Sequence, residues 1–275
     1  MSARISLRNI RQTFLVRDDQ DKRRHEFVAL DDLNLVVEPG EFLTIVGPSG
    51  CGKSTVLDLI AGLSRPVTGT VEIDGTPITG PGLDRSVVFQ QYTLLPWRTA
   101  LANVEFALEA RGGLSKAQRA ATARRYLALV GLEESAGRLP RELSGGMKQR
   151  VAIARSLCYE PGVLLMDEPF GALDAQTRER LQEQLLDIWR RTGTTIVFIT
   201  HDIEEAVFLG QRVAVMTSRP GRVIETIQVD LDRSRVGETD IRATAEFAEY
   251  RHRAWSLLRH QTVPRPVLRE VREVA

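Results

Sequence analysis

Long apolar runs, net charge and cysteines are all scarce in this sequence of 275 residues. Apolar stretches such as 163–166 and 195–199 are far too short to cross a bilayer, and the N-terminus lacks the apolar core of a signal peptide. The 37 Lys and Arg residues nearly balance 36 Asp and Glu, so no global field attracts nucleic acid or anionic lipid. The two cysteines, Cys51 and Cys158, form no spaced disulfide framework. We therefore expect a chain that stays in a reducing cytosol and recognises its partners locally.

Short strand patterns alternate with helical patterns along most of the chain. With 43% hydrophobic residues, the sequence can bury a sizeable core. Segments rich in β-branched residues are mostly too continuous to have a polar face, which predicts a sheet covered on both sides. These segments are 42–46, 86–89, 163–166, 195–199 and 212–217, and the helical patterns between them are 53–63, 174–191 and 203–209. The alternation predicts an α/β fold with a mainly parallel core sheet.

Two regions depart from this alternation. Segments 5–14 and 29–37, together with a hairpin turn at Asp74-Gly75, predict an antiparallel β-subdomain towards the N-terminus. Residues 91–160 are mostly helical in pattern and predict a helical subdomain. Beyond Leu231 the charge is mixed, and 240–259 has amphipathic helical spacing, so a C-terminal helical tail is expected over 231–275.

A glycine-rich phosphate loop follows the strand 42–46. Its residues match G-x-x-x-x-G-K-[ST] between a strand and a helix; they are Gly47, Pro48, Ser49, Gly50, Cys51, Gly52, Lys53, Ser54 and Thr55. The glycines let backbone N–H groups surround phosphate oxygens, and the helix N-terminus adds a partial positive charge. Lys53 would contact the β- and γ-phosphates, and the Ser54 hydroxyl would bind Mg²⁺. The alternative, a chance glycine turn, is disfavoured by the flanking strand and helix.

Two adjacent carboxylates end the strand 163–166. Because side chains alternate in direction along a strand, Asp167 and Glu168 can divide two tasks. Asp167 would face the phosphate loop and hold Mg²⁺, directly or through water. Glu168 would point toward the γ-phosphate and orient or deprotonate the attacking water. An ordinary acidic loop is the alternative, but the phosphate loop in the same α/β pattern favours nucleotide hydrolysis.

One string, Leu143-Ser144-Gly145-Gly146-Met147-Lys148-Gln149-Arg150, resembles the signature motif of ATP-binding-cassette (ABC) ATPases. It precedes a helical stretch, 147–157, whose N-terminus offers N–H donors to a phosphate, although a capped helix with a glycine-rich start is the alternative. The resemblance implies a P-loop NTPase of ABC type over about 1–230, in which two chains stack head to tail. Each ATP would lie between the phosphate loop of one chain and Ser144, Gly145 and Gly146 of the other.

Further motifs similar to those of the family occur in the expected order. Gln90 matches the Q-loop glutamine that senses Mg²⁺ and the γ-phosphate, Asp174 matches the D-loop residue that crosses the dimer interface, and His201 matches the switch histidine. Each alone is also an ordinary feature: a strand-end glutamine, a helix N-cap or a structural histidine. Phe14 lies where the family has an aromatic residue that stacks on adenine, with a core phenylalanine as the alternative. The charge run 16–26 is expected to be a solvated hairpin loop.

Membrane importers, exporters and soluble ABC proteins that act on DNA or ribosomes share this kind of motor. The sequence shows no fused membrane helices, no long coiled coil and no second cassette, which favours an importer subunit. Leu94, Leu95 and Trp97, with 169–174 and 218–222, resemble the nitrate, sulfonate and taurine importer branch. In that branch the first three would lie near the groove that receives a cytoplasmic helix of the membrane subunit, unless they only pack the helical subdomain.

The resemblance therefore implies ATP and Mg²⁺ as ligands and a homodimer of ATPase subunits at the cytoplasmic face of the inner membrane. Its other expected partners are a membrane permease and, indirectly, a solute-binding protein, with no nucleic acid. The transported solute is not encoded in such a motor, because the motor never touches the cargo.

Overall fold

The computed structural model of the protein describes residues 2–17, 24–233, 240–259 and 269–270. Its strands are β1 (Ile5–Arg17), β2 (Arg24–Val37), β3 (Phe42–Val46), β4 (Thr68–Ile73), β5 (Thr76–Pro77), β6 (Arg85–Val88), β7 (Val163–Asp167), β8 (Thr195–Thr200), β9 (Arg212–Met216), β10 (Val223–Gln228) and β11 (Arg269–Glu270). Its α-helices are α1 (Lys53–Ala61), α2 (Ala100–Arg111), α3 (Lys116–Leu129), α4 (Gly145–Leu157), α5 (Ala175–Thr192), α6 (Ile203–Leu209) and α7 (Ala245–Arg259).

A six-stranded sheet in the order β10-β9-β3-β8-β7-β6 forms the centre of the molecule. Five strands are parallel, and β10 pairs with β9 in the antiparallel sense. Along β3, Phe42 and Val46 belong to one hydrophobic cluster and Leu43 and Ile45 to another, so both faces of the sheet are covered. Parallel strands end at one edge of the sheet, which brings the loops after β3, β6, β7 and β8 together.

A second, antiparallel sheet in the order β11-β2-β1-β4-β5 lies on the N-terminal side. The predicted hairpin at Asp74-Gly75 is present, since β4 and β5 pair on either side of it. The expectation of a loop over 16–26 is wrong at both ends, because Val16 pairs with His25 within the long β1–β2 ladder. Cross-strand pairing satisfies the backbone there despite the charged side chains. Residues 18–23 lie outside the described residues.

Helices α2, α3 and α4 occupy the interval between β6 and β7. Local capping sets where each begins: the Thr99 hydroxyl accepts from the Ala102 N–H, and Ser115 forms a capping box with Gln118. Helix α4 begins at Gly145, two residues before the expected 147, because Ser144 is its N-cap and accepts from the Met147 N–H at 3.3 Å. The parallel core sheet, the antiparallel sheet and the helical insertion confirm the predicted fold class.

The tail beyond β10 packs back onto the core. A short 3-10 turn, Ile241–Ala243, precedes α7, so the predicted amphipathic helix over 240–259 starts five residues late. Phe247 and Ala254 of α7 are buried, and the Asp230 N–H donates to the Tyr250 hydroxyl at 3.3 Å. The rest of the predicted tail, 234–239, 260–268 and 271–275, lies outside the described residues. Within the described ranges, no helix has the length and apolar character needed to cross a bilayer.

Candidate active site

The glycine-rich loop between β3 and α1 has the backbone geometry that is typical of an anion-binding site. Helix α1 starts at Lys53, and its N-cap, Gly52, has a left-handed backbone (φ 98°) and no side chain to cap the helix. The first N–H groups of α1 therefore have neither a helical carbonyl nor a capping side chain, while the helix dipole places partial positive charge beside them. Such an uncapped glycine start is the usual setting for a bound phosphate.

Lys53 places a full positive charge inside this loop. Its side chain is only 6% exposed, and its Nζ donates to the carbonyl oxygens of Gly47 at 2.9 Å and Pro48 at 3.3 Å. The loop's own turn is closed by the Cys51 N–H donating to the Pro48 carbonyl at 3.2 Å. Burial raises the pKa of the Cys51 thiol, so that side chain stays a neutral packing group under the loop.

A pocket of about 330 Å³ opens over the loop. Its walls come from the phosphate loop, the β1–β2 ladder, the end of β7 and the turn after β9; the lining residues are Phe14, Phe27, Ala29, Ser49, Gly50, Gly52, Lys53, Ser54, Thr55, Glu168 and Arg219. Phe14 is 42% exposed, which excludes the alternative that it is a core residue. The pocket thus joins an aromatic wall to the glycine-rich loop and Lys53.

Asp167 forms a polar pair with Ser54, which lines the pocket. Burial raises the pKa of Asp167, and a hydrogen bond from Ser54 and the charge of Lys53 oppose that rise. In the described part of the chain, no group of three or more His, Cys, Asp or Glu side chains could hold a metal alone. One carboxylate and one hydroxyl suit Mg²⁺, which keeps several waters and takes phosphate oxygens as further ligands.

Glu168 on the pocket wall contacts His201, which is not among the lining residues. The Glu168 Oε2 and His201 Nδ1 atoms are 2.9 Å apart, and the two residues directly follow the neighbouring strands β7 and β8. Glu168 has a positive φ of 43°, a conformation that non-glycine residues seldom adopt and that often occurs at functional sites. Its N–H donates to the Ile199 carbonyl at 2.9 Å, which ties the strained residue to β8.

The remaining predicted site residues lie outside this pocket. Gln90 is exposed just after β6, close to Gly171, where a Cβ would approach the Gln90 Nε2 to 3.6 Å. Asp174 caps α5 by accepting from the Thr177 N–H at 3.0 Å. Ser144 and the glycines after it open α4, and none of Ser144, Gly145, Gly146 or Asp174 lines the pocket of the same chain.

Sequence reasoning missed three residues of the pocket wall: Phe27, Ala29 and Arg219. The first two lie on β2, and no motif distinguishes them from other strand residues. Arg219 belongs to the segment 218–222, which resembles the importer branch but suggests no role at the site. Its position follows from the packing of the β9–β10 turn against β2, a long-range contact that no local pattern reveals.

Comparison with known proteins agrees with this geometry. The family model described as ABC transporter matches residues 30–171, which include the phosphate loop and the signature string. The nitrate import ATP-binding protein of Synechocystis sp. is 53% identical over 245 residues, covering 86% of this chain and 90% of that protein. The taurine import ATP-binding protein of Chromobacterium violaceum is 50% identical over 226 residues, covering 81% and 86%.

Among solved structures, a bacterial ABC transporter cassette superposes with a TM-score of 0.69 and 37% identity, covering 82% of this chain and 98% of that one. That cassette was solved as a dimer, and also in a post-hydrolysis state bound to ADP and Pi. The chain therefore belongs to the ABC transporter family, as an ATP-binding subunit with ATPase activity.

Proposed function

We propose that the chain is the motor of an importer for small solutes of the nitrate and taurine class, working as a homodimer on the cytoplasmic side of a membrane permease. One observation carries the catalytic part of the proposal: Glu168, in contact with His201, lies on the wall of the same pocket as Lys53 and Ser54. A base at one end of a phosphate-binding pocket is the arrangement that hydrolysis of a terminal phosphate needs.

The roles of the residues follow from their positions. Phe14 supports the base of ATP, while the uncapped start of α1 and Lys53 bind the phosphates. Ser54 and Asp167 hold Mg²⁺, which supplies charge neutralisation on the phosphate oxygens when it is bound. Glu168 orients or deprotonates the attacking water, and His201 holds the Glu168 carboxylate in place.

A second chain is needed in this proposal because none of the signature residues lines the pocket of its own chain. The first two N–H groups of α4, from Gly145 and Gly146, have no helical carbonyl partner, so this helix start can bind the phosphate of a nucleotide held by another copy. The Glu168–His201 pair is also partly open to solvent, with 25% and 60% of the side chains exposed. A partner over this face would exclude bulk water.

The loop 94–99 supports a permease-docking surface. Asn103 is fully buried, and its side chain bonds the backbone of Leu95 through both its oxygen (2.8 Å) and its nitrogen (3.2 Å). The loop is therefore rigid, with Leu94 packed on the core and Trp97 left 73% exposed. The packing alternative therefore applies to Leu94, and the exposed Trp97 is the apolar anchor that we propose for a membrane-subunit helix.

A hydrogen-bonded link joins this surface to the signature helix. Arg155 of α4 donates to the carbonyl oxygens of Thr93 at 2.7 Å and Tyr92 at 3.2 Å, which follow Gln90 by three and two residues. Movement of the docked loop would therefore be transmitted to Ser144 at the start of α4. This supports coupling between transport and hydrolysis.

Reconstitution tests the importer role. The chain is expressed with a candidate permease and solute-binding protein, and ATPase activity is measured in proteoliposomes with nitrate, taurine or no solute. We expect one solute, together with its binding protein, to stimulate ATP hydrolysis. The same solute should accumulate on the side of the membrane opposite to the binding protein. Solute efflux without a binding protein would show an exporter, and co-purification of nucleic acid or ribosomes would show a soluble mechanoenzyme.

A further inference from the structure

The turn between β9 and β10 is wedged between β2 and the phosphate loop. The Gly221 N–H donates to the Ala29 carbonyl at 2.8 Å, and the Asp31 N–H donates to the Gly221 carbonyl at 3.2 Å. A Cβ on Gly221 would collide with the Cys51 carbonyl of the phosphate loop, so only glycine permits this approach. The turn is therefore fixed relative to the site and can present a side chain to it.

Arg219 is the side chain that this turn presents. Its Nε donates to the Gly50 carbonyl at 3.0 Å, and its guanidinium carbon lies 5.2 Å from the centroid of the Phe27 ring. These two contacts hold the guanidinium plane against the pocket wall. Since Gly50 has a positive φ of 74° and a Cβ there would collide with the guanidinium, the loop leaves room for an arginine at this point.

A guanidinium group at this position is suited to donate hydrogen bonds to a phosphate. The bond to Gly50 uses one of the five N–H donors of a guanidinium, and the side chain is exposed to the pocket. Arg219 lies between Phe27 on the aromatic wall and Gly50 on the phosphate loop, and it lines the same pocket as Glu168. The parts of a bound nucleotide that lie between its adenine base and its terminal phosphate would face Arg219.

We propose that Arg219 is a second cationic nucleotide-binding residue, which contacts the α- and β-phosphates and the ribose side of the nucleotide. This inference rests on the nucleotide site proposed above. Because ADP and ATP share these groups, Arg219 strengthens the binding of both equally and contributes little to the hydrolysis step itself.

Calorimetric titration of Mg·ADP and Mg·ATP tests the proposal on the full chain. Arg219→Gln is expected to weaken both nucleotides by about 10-fold, with KM raised and kcat nearly unchanged, because a charge-assisted hydrogen bond is lost. The loss should shrink as salt concentration rises. Arg219→Lys keeps the positive charge but loses the planar arrangement of N–H donors in the guanidinium group. It should therefore recover part of the affinity for both nucleotides.

Arg222→Gln is the matched control, since Arg222 is on the same turn and pairs with Asp31 on β2 without lining the pocket. Wild-type affinity for both nucleotides in Arg219→Gln would overturn the proposal. So would a fall in kcat at unchanged KM, or no recovery in Arg219→Lys, because either indicates that the arginine only shapes the loop. If the wild-type chain bound neither nucleotide, the proposed site itself would fail.

Discussion

At the scale of single residues, the site depends on which charged side chains are buried and which reach the pocket. Glu168 is held at positive φ with its carboxylate on His201, whereas Asp167, one residue earlier, forms a polar pair with Ser54. Asp167 is the last residue of β7, whereas Glu168 follows the strand with a left-handed backbone, and this change in backbone direction separates the two neighbouring carboxylates. Of the two, only Glu168 lines the pocket, which is why we propose it as the water-activating residue.

Replacing Glu168 with Gln should lower kcat by about 10²–10⁴-fold, since general base catalysis is lost while the shape of the side chain is kept. Mg·ATP affinity should stay within a few fold of wild type. Steady-state phosphate release and equilibrium nucleotide binding are the measurements. Glu246→Gln, an exposed change on α7, is the control. Turnover at the wild-type rate would remove Glu168 from the role of water-activating residue.

A buried carboxylate that contacts Thr200, the residue before His201, makes stability depend on pH. Glu205 accepts hydrogen bonds from Gln182 at 2.9 Å and from Thr200, the residue before His201, and burial raises its pKa. Because the folded-state pKa exceeds the unfolded one, the stabilising contribution of Glu205 is complete below about pH 4.5 and is lost as pH rises through the folded pKa.

Glu205→Gln removes this titration. The free energy of unfolding of the variant, relative to wild type, should therefore increase by about 1 kcal/mol between pH 5 and pH 7.5. Urea unfolding at the two pH values measures it, with Glu204→Gln, an exposed neighbour paired with Arg251, as the control. A difference that is the same at both pH values would contradict the assignment.

At the scale of elements, the sequence predicts most of what is local. The sequence predicts the alternation of strands and helices and the phosphate loop. It also predicts the order of four site residues along the chain, because each lies in a short pattern at the end of a strand; they are Gln90, Asp167, Glu168 and His201.

Features that depend on capping or on distant contacts are predicted less well. Helix α4 begins two residues before the predicted start, because Ser144 caps the helix and the Gly-Gly pair after it does not suggest a helical conformation. The length of the β1–β2 ladder was missed because cross-strand pairing outweighs a charged sequence. Arg219 was missed because its neighbours are far away in sequence.

The rigid loop 94–99 allows a test of docking that leaves the nucleotide chemistry alone. Trp97→Ala should reduce solute-stimulated ATPase activity in the reconstituted complex by about 10-fold, because an exposed aromatic anchor is worth about 1–2 kcal/mol at an interface. The ATPase activity of the isolated subunit should not change. Trp255→Ala removes a similarly exposed tryptophan, 45% against 73%, from the tail helix and serves as the control. Equal stimulation in wild type and Trp97→Ala would place the docking surface elsewhere.

At the scale of the whole molecule, we propose that each chain carries two half-sites. The pocket around Lys53 lacks the signature, and the signature at Ser144 caps a helix outside that pocket. Two copies in head-to-tail arrangement would complete two equivalent sites, since a symmetric dimer repeats each contact. ATP then favours the closed dimer, because only that state supplies both half-sites to one nucleotide.

Cross-complementation of two variants tests this account most directly. One variant carries Lys53→Met and the other Ser144→Arg, both with Glu168→Gln so that bound ATP persists, and dimer formation with Mg·ATP is followed by sedimentation. Neither variant alone should dimerise, because each lacks one half of both sites. Their mixture should form dimers with one ATP each, since one of its two sites combines an intact Lys53 with an intact Ser144. Dimers of the Ser144→Arg variant alone, or no dimers in the mixture when Glu168→Gln alone dimerises, would contradict a site shared between two chains.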